Sequence, residues 1–88
     1  HRGGGGRPVR AWTDYPFLPS DREGEAAPVR EVDAFAYDGN KYCRFVYSGE
    51  VYEVKAGCLY ERPSEAGCPS ALRASTLREL ERFWEAGQ

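Results

Sequence analysis

Two turn signals, "DGNK" at residues 38–41 and "SG" at 48–49, cut the stretch from Val29 to Tyr60 into short runs rich in β-branched and aromatic side chains. Runs of that composition between such turns read as strands of an antiparallel meander. "VREVDAFAY" is the first strand, and Gly39 and Asn40 form the centre of the turn after it. "YCRFVY" is the second strand, Ser48-Gly49 a two-residue hairpin turn, and "EVYEV" the third. Gly57 marks a bulge or bend, "CLYER" a short fourth strand, and Pro63 its end. The segment "TLRELERFWEAG" carries the strongest helix signal. Thr76 is the expected N-cap, and Glu79 three residues on completes a capping box. Leu77, Leu80 and Trp84 fall on one stripe with Phe83 beside it, and Gly87 supplies the stop. A start at Ser70 instead brings Leu72 onto the same stripe. The expected fold is α+β: a small antiparallel β-meander, or an SH3-like partly open barrel of three to four strands, with one C-terminal helix packed on it.

A chain of 88 residues makes one small domain, and one of this size buries only about 60–65% of the surface its unfolded form exposes. It has eleven large aliphatic side chains (Val and Leu, no Ile) and twelve aromatic ones, so rings must supply much of the core. Residues 1–8 read as a flexible Gly-rich terminus and 9–88 as the domain. Within it, 9–28 form an extended arm and loop, 29–62 the meander and 70–87 the helix. Four prolines between positions 8 and 28 forbid a regular helix in the arm. Its Trp12, Tyr15, Phe17 and Leu18 either pack on their own domain or dock on another molecule.

The meander's register sorts its rings. With two-residue links at both turns, Tyr37 lies opposite Tyr42, Ala36 opposite Cys43, Ala34 opposite Phe45, Phe45 opposite Tyr52 and Cys43 opposite Val54. Side chains alternate with period two. One face therefore collects Val32, Ala34, Ala36, Cys43, Phe45, Tyr47, Tyr52 and Val54. It is the core face, and its two alanines leave room for the helix stripe. The other collects Asp33, Phe35, Tyr37, Tyr42, Arg44, Val46, Val51, Glu53 and Lys55, with Arg44 and Glu53 placed to pair. A one-residue slip exchanges the two sets and buries four charges, so the charges argue for this register. The mixed face has two readings. Either the N-terminal arm folds back over it and closes a small barrel, or it stays open as a binding patch.

Little else carries chemistry. The single histidine is His1, and no serine or cysteine has a base partner in view. The carboxylate pairs Glu23/Glu25 and Asp14/Asp21 fall in a loop where charges are normally solvated, so no enzymatic activity is expected. Cys43, Cys58 and Cys68 form neither an even disulfide framework nor a C-x-x-C zinc pattern. They read as reduced thiols in a cytoplasm, with no metal and no cofactor. "GGGG" lacks the Lys-Ser/Thr of a phosphate loop. No apolar run approaches the ~18 residues of a membrane helix. Net charge is −2, which sets up no field for nucleic acid, and ten of the twelve basic residues are arginine.

The motifs "TDYPF" (13–17), "YDGNKY" (37–42) and "KAGCLY" (55–60) carry a resemblance over residues 12–62. The chain resembles short uncharacterised proteins of bacteriophage genomes, which often have a tyrosine where Cys58 stands here. The resemblance implies a small phage protein acting in the host cytoplasm, of a kind often found to inhibit host machinery or defence, anti-CRISPR proteins included. It carries over no ligand residues. The reading of the residues themselves is a non-enzymatic protein that binds a larger protein partner. The candidate contacts are Phe35, Tyr37, Tyr42, Arg44 and Lys55, aided by Asp21, Glu23 and Glu25 of the acidic loop. The alternatives are a nucleic-acid-binding small β-barrel, in which bases stack on the exposed rings, and a virion structural protein.

Overall fold

The computed structural model describes residues 8–18, 24 and 27–86. Its strands are β1 (Val9–Thr13), β2 (Arg30–Asp38), β3 (Tyr42–Tyr47), β4 (Glu50–Lys55) and β5 (Leu59–Tyr60), and its helix is α1 (Ala74–Ala86). All pairings are antiparallel, and the five strands form one open sheet in the order β4-β3-β2-β1-β5. The meander and the C-terminal helix are as the sequence implies. The arm is not. Residues 9–13 neither cover a sheet face nor close a barrel. They enter the sheet as a strand between β2 and β5, with Ala11 opposite Val32 and Thr13 opposite Leu59. Both neighbours lie far along the chain, and they supply the ladder that a five-residue segment between prolines cannot make by itself.

The first hairpin departs from the expected register by one residue, then recovers. Its link is three residues long. The Lys41 amide donates to the Asp38 carbonyl (2.8 Å), and the Asp38 carboxylate accepts from the Asn40 amide (2.9 Å). Lys41 takes the left-handed conformation (φ 87°) that closes such a loop. Tyr37 is thereby opposite Cys43 rather than Tyr42, and Ala36 opposite Arg44 rather than Cys43. A β-bulge at Phe35 then absorbs the extra residue, so that Ala34 faces Phe45 as the alternation requires. Tyr37 thus shares the face of Cys43 and packs against the core.

The second hairpin turns on Ser48 and Gly49, both with positive φ (53° and 82°), the pattern of a type I′ turn. Its register is the expected one: Cys43 opposite Val54, Arg44 opposite Glu53, Phe45 opposite Tyr52.

One cluster holds the fold together. Ala11, Val32, Ala34, Cys43, Phe45, Val54 and Leu59 from the sheet meet Leu18, Leu72 and Leu80, all buried. Phe45 stacks on Tyr52 with centroids 5.7 Å apart. Tyr47 and Tyr52, expected fully inside, are half-buried, Tyr52 on the edge strand β4 and Tyr47 at the end of β3 beside the turn. The small side chains of Ala34 and Ala36 let α1 pack closely on β2. Leu80 is sealed, with Leu77 and Phe83 beside it.

The helix begins two residues before the expected N-cap. Leu77 donates its amide to the Arg73 carbonyl (3.0 Å), which makes Arg73 the capping position, and Thr76 lies buried inside the first turn. Its hydroxyl donates to Glu61 Oε1 (3.0 Å) instead of capping. Arg73 Nε donates to the same carboxylate. Glu61 so ties the helix start to the strand just before it. Gly87, the expected stop, and residues 1–7 lie outside the described residues.

Candidate protein-binding surface

The type I′ turn fixes which β3 and β4 side chains share a side. Tyr42 with Lys55, Arg44 with Glu53, and Val46 with Val51 stand directly opposite each other, on the face away from Cys43 and Phe45. Trp84 of α1 lies over Arg44, and the rest of this face on β3 and β4 is largely open. Val51 is 59% exposed and Tyr42 42%, while Glu53 and Lys55 are exposed and Arg44 and Val46 half-buried.

Arg44 organises the patch. Its Nε lies 3.3 Å from Glu53 Oε2, and its guanidinium carbon sits 4.0 Å from the centre of the Trp84 ring. An exposed ion pair alone is worth little. A guanidinium held between a carboxylate and an indole has nevertheless lost most of its freedom before any partner arrives, because its planar fork is fixed on both sides. Trp84 therefore belongs to this surface, although its place on the helical stripe points to the core. No signal in the sequence pairs it with Arg44, since that contact depends on the direction in which α1 crosses the sheet.

Of the residues singled out from sequence, the fold brings Tyr42, Arg44 and Lys55 together. Phe35 is the inserted residue of the bulge on the neighbouring strand and is half-buried. Tyr37 is on the other side of the sheet. Burial, then the nearby Cys43, Glu81 and Asp38, push its phenol up. Asp21, Glu23 and Glu25 lie outside the described residues. Sequence reasoning passed over Val46 and Val51 as contacts, although their place on the mixed face was legible.

The remaining chemistry is muted. Burial pushes the Cys43 thiol up to about 12. The Cys58 thiol is raised by burial and by Asp14, with Lys55 pulling the other way. Neither is poised as a thiolate. Tyr60 is buried beside β1, donates to Asp14 (3.3 Å) and is raised chiefly by burial. A groove of about 670 Å³ between β1, the end of β5 and the helix start is lined by Arg10, Arg62 and Arg73 against Glu61, Glu65 and Glu79, charges that largely neutralise one another. Among the described residues, no cluster of histidine, cysteine and carboxylate side chains is arranged to hold a metal ion, and no helix is long and apolar enough to cross a membrane. No protein-family model, curated protein or solved structure matches the chain.

Proposed function

We propose that this chain is a binding module that engages a larger protein through the open face of the β3–β4 hairpin, acting as a modulator or inhibitor and performing no chemistry itself. The observation that carries the reading is the make-up of that face. An exposed valine and an exposed tyrosine flank an arginine already stacked on a tryptophan. Tyr, Trp and Arg are the side chains most often found at interface hot spots, where truncation costs ~2 kcal/mol or more. The fold does not need Tyr42, Val51 or Lys55 for its core, so their clustering favours an external role. A nucleic-acid partner is less well served, because Glu53 occupies Arg44 and leaves Lys55 as the unpaired cation of the patch among the described residues.

The test compares the wild-type chain with a Tyr42→Ala/Lys55→Glu double variant as baits in a bacterial lysate, the host that the phage resemblance implies. A discrete protein should bind the wild type and bind the variant at least tenfold more weakly, with the melting temperature unchanged. Equal capture by a folded variant would remove this face from consideration.

A further inference from the structure

The two-residue turn also decides which backbone groups of β4 are left over. In a hairpin of this type the residues flanking the turn exchange both backbone hydrogen bonds, and bonded and non-bonded pairs then alternate along the ladder. Tyr47 and Glu50 are a bonded pair, so Val46 and Val51 are not. It follows that Glu50, Tyr52 and Val54 direct their N–H and C=O groups to β3. Val51, Glu53 and Lys55 direct theirs outward. The hydrogen bonding just past the strand confirms the phase: Ala56 donates to the Lys41 carbonyl (2.8 Å), a bonded position in this alternation.

β4 ends the sheet, and no described strand pairs with its outer side. It contains no proline, and its ladder with β3 runs from Tyr42–Lys55 to Tyr47–Glu50 without a shift. Edges are ordinarily blunted by prolines, bulges or charge. Here only charge is used, and no self-pairing register combines matched charges with the full length of the strand. A second copy adding antiparallel across a twofold axis must pair residues of the same face. Centred on Glu53, such a pairing sets that carboxylate against itself and Val51 against Lys55. Centred on Tyr52, it sets Val51 against Glu53 and Glu50 against Val54. Neither arrangement gives Lys55 a carboxylate; centred on Val54, Glu53 does meet Lys55, but the overlap shrinks to residues 53–55 because the chain turns into a 3-10 helix at Ala56.

We propose that the outer edge of β4 takes an extended segment of a different protein as an added antiparallel strand. Charge complementarity defines the occupant: an acidic residue opposite Lys55, a basic residue opposite Glu53, and apolar residues opposite Val51, Tyr52 and Val54. Backbone bonds to Val51, Glu53 and Lys55 hold the segment, and its alternate side chains join the Tyr42/Arg44 face. The inference rests on the protein-binding role proposed above and specifies the mode of binding.

The probe is a fluorescein-labelled peptide with the core Glu-Val-Lys-Val-Val, which in antiparallel register places Glu opposite Lys55 and Lys opposite Glu53. Anisotropy titration with the full chain should show saturable binding. N-methylation of the peptide's Lys, whose N–H faces Glu53, should weaken binding at least tenfold. N-methylation of the Val opposite Tyr52, whose N–H points away, should change it less than twofold. Exchanging Glu and Lys in the peptide should also weaken binding. Amide exchange at Val51, Glu53 and Lys55 should slow on binding while that at Tyr52 and Val54 stays as it was. No binding, or equal loss on methylation at the two sites, would overturn the added strand. The Tyr42→Ala/Lys55→Glu capture experiment would still report separately on whether the face binds a protein.

Discussion

Raising the pH should destabilise this protein through one core thiol. Cys43 is fully buried between Phe45 and Val54 in the central cluster, and burial moves its pKa from a thiol's ordinary 9.0 to about 12. In the unfolded chain it ionises near the ordinary value. Between those two values the unfolded state has lost a proton that the folded state keeps, so unfolding stability falls as pH rises. Below about pH 9 the contribution is fully present, and above about pH 12 the decline stops. At pH 10 the expected loss is roughly 1.4 kcal/mol, one pKa unit's worth. That is a large fraction of the few kcal/mol a domain of this size holds. The assay is urea unfolding followed by tryptophan fluorescence at pH 8 and pH 10, on wild type and Cys43→Ala. Wild type should lose about 1.4 kcal/mol more than the variant between the two pH values. The tyrosines with raised pKa values titrate later and are present in both chains, so they largely cancel in the difference. Equal losses would mean that the thiol meets solvent in the folded state, and that the packing of β3 against the helix layer is looser than described.

Phe45→Ala should cost about 3–5 kcal/mol, because it removes a sealed ring and its stacking on Tyr52, whereas Tyr42→Ala should cost under about 1 kcal/mol. Thermal melts that rank Tyr42 above Phe45 would reverse the assignment of faces. Lys41→Gly should stabilise by about 0.5–1 kcal/mol, since φ 87° is strained for lysine and free for glycine. A lower urea midpoint would show that the lysine side chain compensates. Ending the chain at Arg73 uncovers Ala34, Ala36 and the rest of the Leu80 contact surface, so the fragment should aggregate or lose its dispersed amide spectrum. A monomeric, well-dispersed fragment would make α1 an appendage.

What was legible in the sequence was whatever local spacing controls. Ser48-Gly49 fixes the β3–β4 register by itself, so Tyr42, Arg44, Glu53 and Lys55 were correctly placed on one face. The first turn misled because its closing residue is Lys41, a side chain with no intrinsic leaning to positive φ, while Gly39-Asn40 is the pair that ordinarily makes the turn. The bulge at Phe35 then hid the error at Ala34 and concentrated it on Tyr37. Strand β1 was unreadable for a different reason. "VRAWT" between prolines has no periodicity long enough to signal a strand, and what makes it one is supplied by β2 and β5. Thr76 has the sequence of a cap, but a carboxylate fifteen residues earlier competes for its hydroxyl. Trp84 joins the candidate surface through a contact that no one-dimensional pattern encodes.

The seat of β1 inside the sheet also sets an order of events. The β2–β3 and β3–β4 hairpins close through links of a few residues, and hairpins of that kind form in roughly 1–10 μs. Strand β1 leaves the ribosome before either of its neighbours exists. To pair with β2 it must close the segment between Thr13 and Arg30, and Leu59 must then return to Thr13 across about half of the chain. The entropy of those closures is lost before the contacts repay it, so the docking of β1 on a preformed meander is the expected slow step of folding. Until then Leu59 and Tyr60 have no strand to pair with. Substitutions in β1 such as Ala11→Gly should slow refolding, whereas changes at the Ser48-Gly49 turn should act mainly on a hairpin that forms much faster than the chain folds.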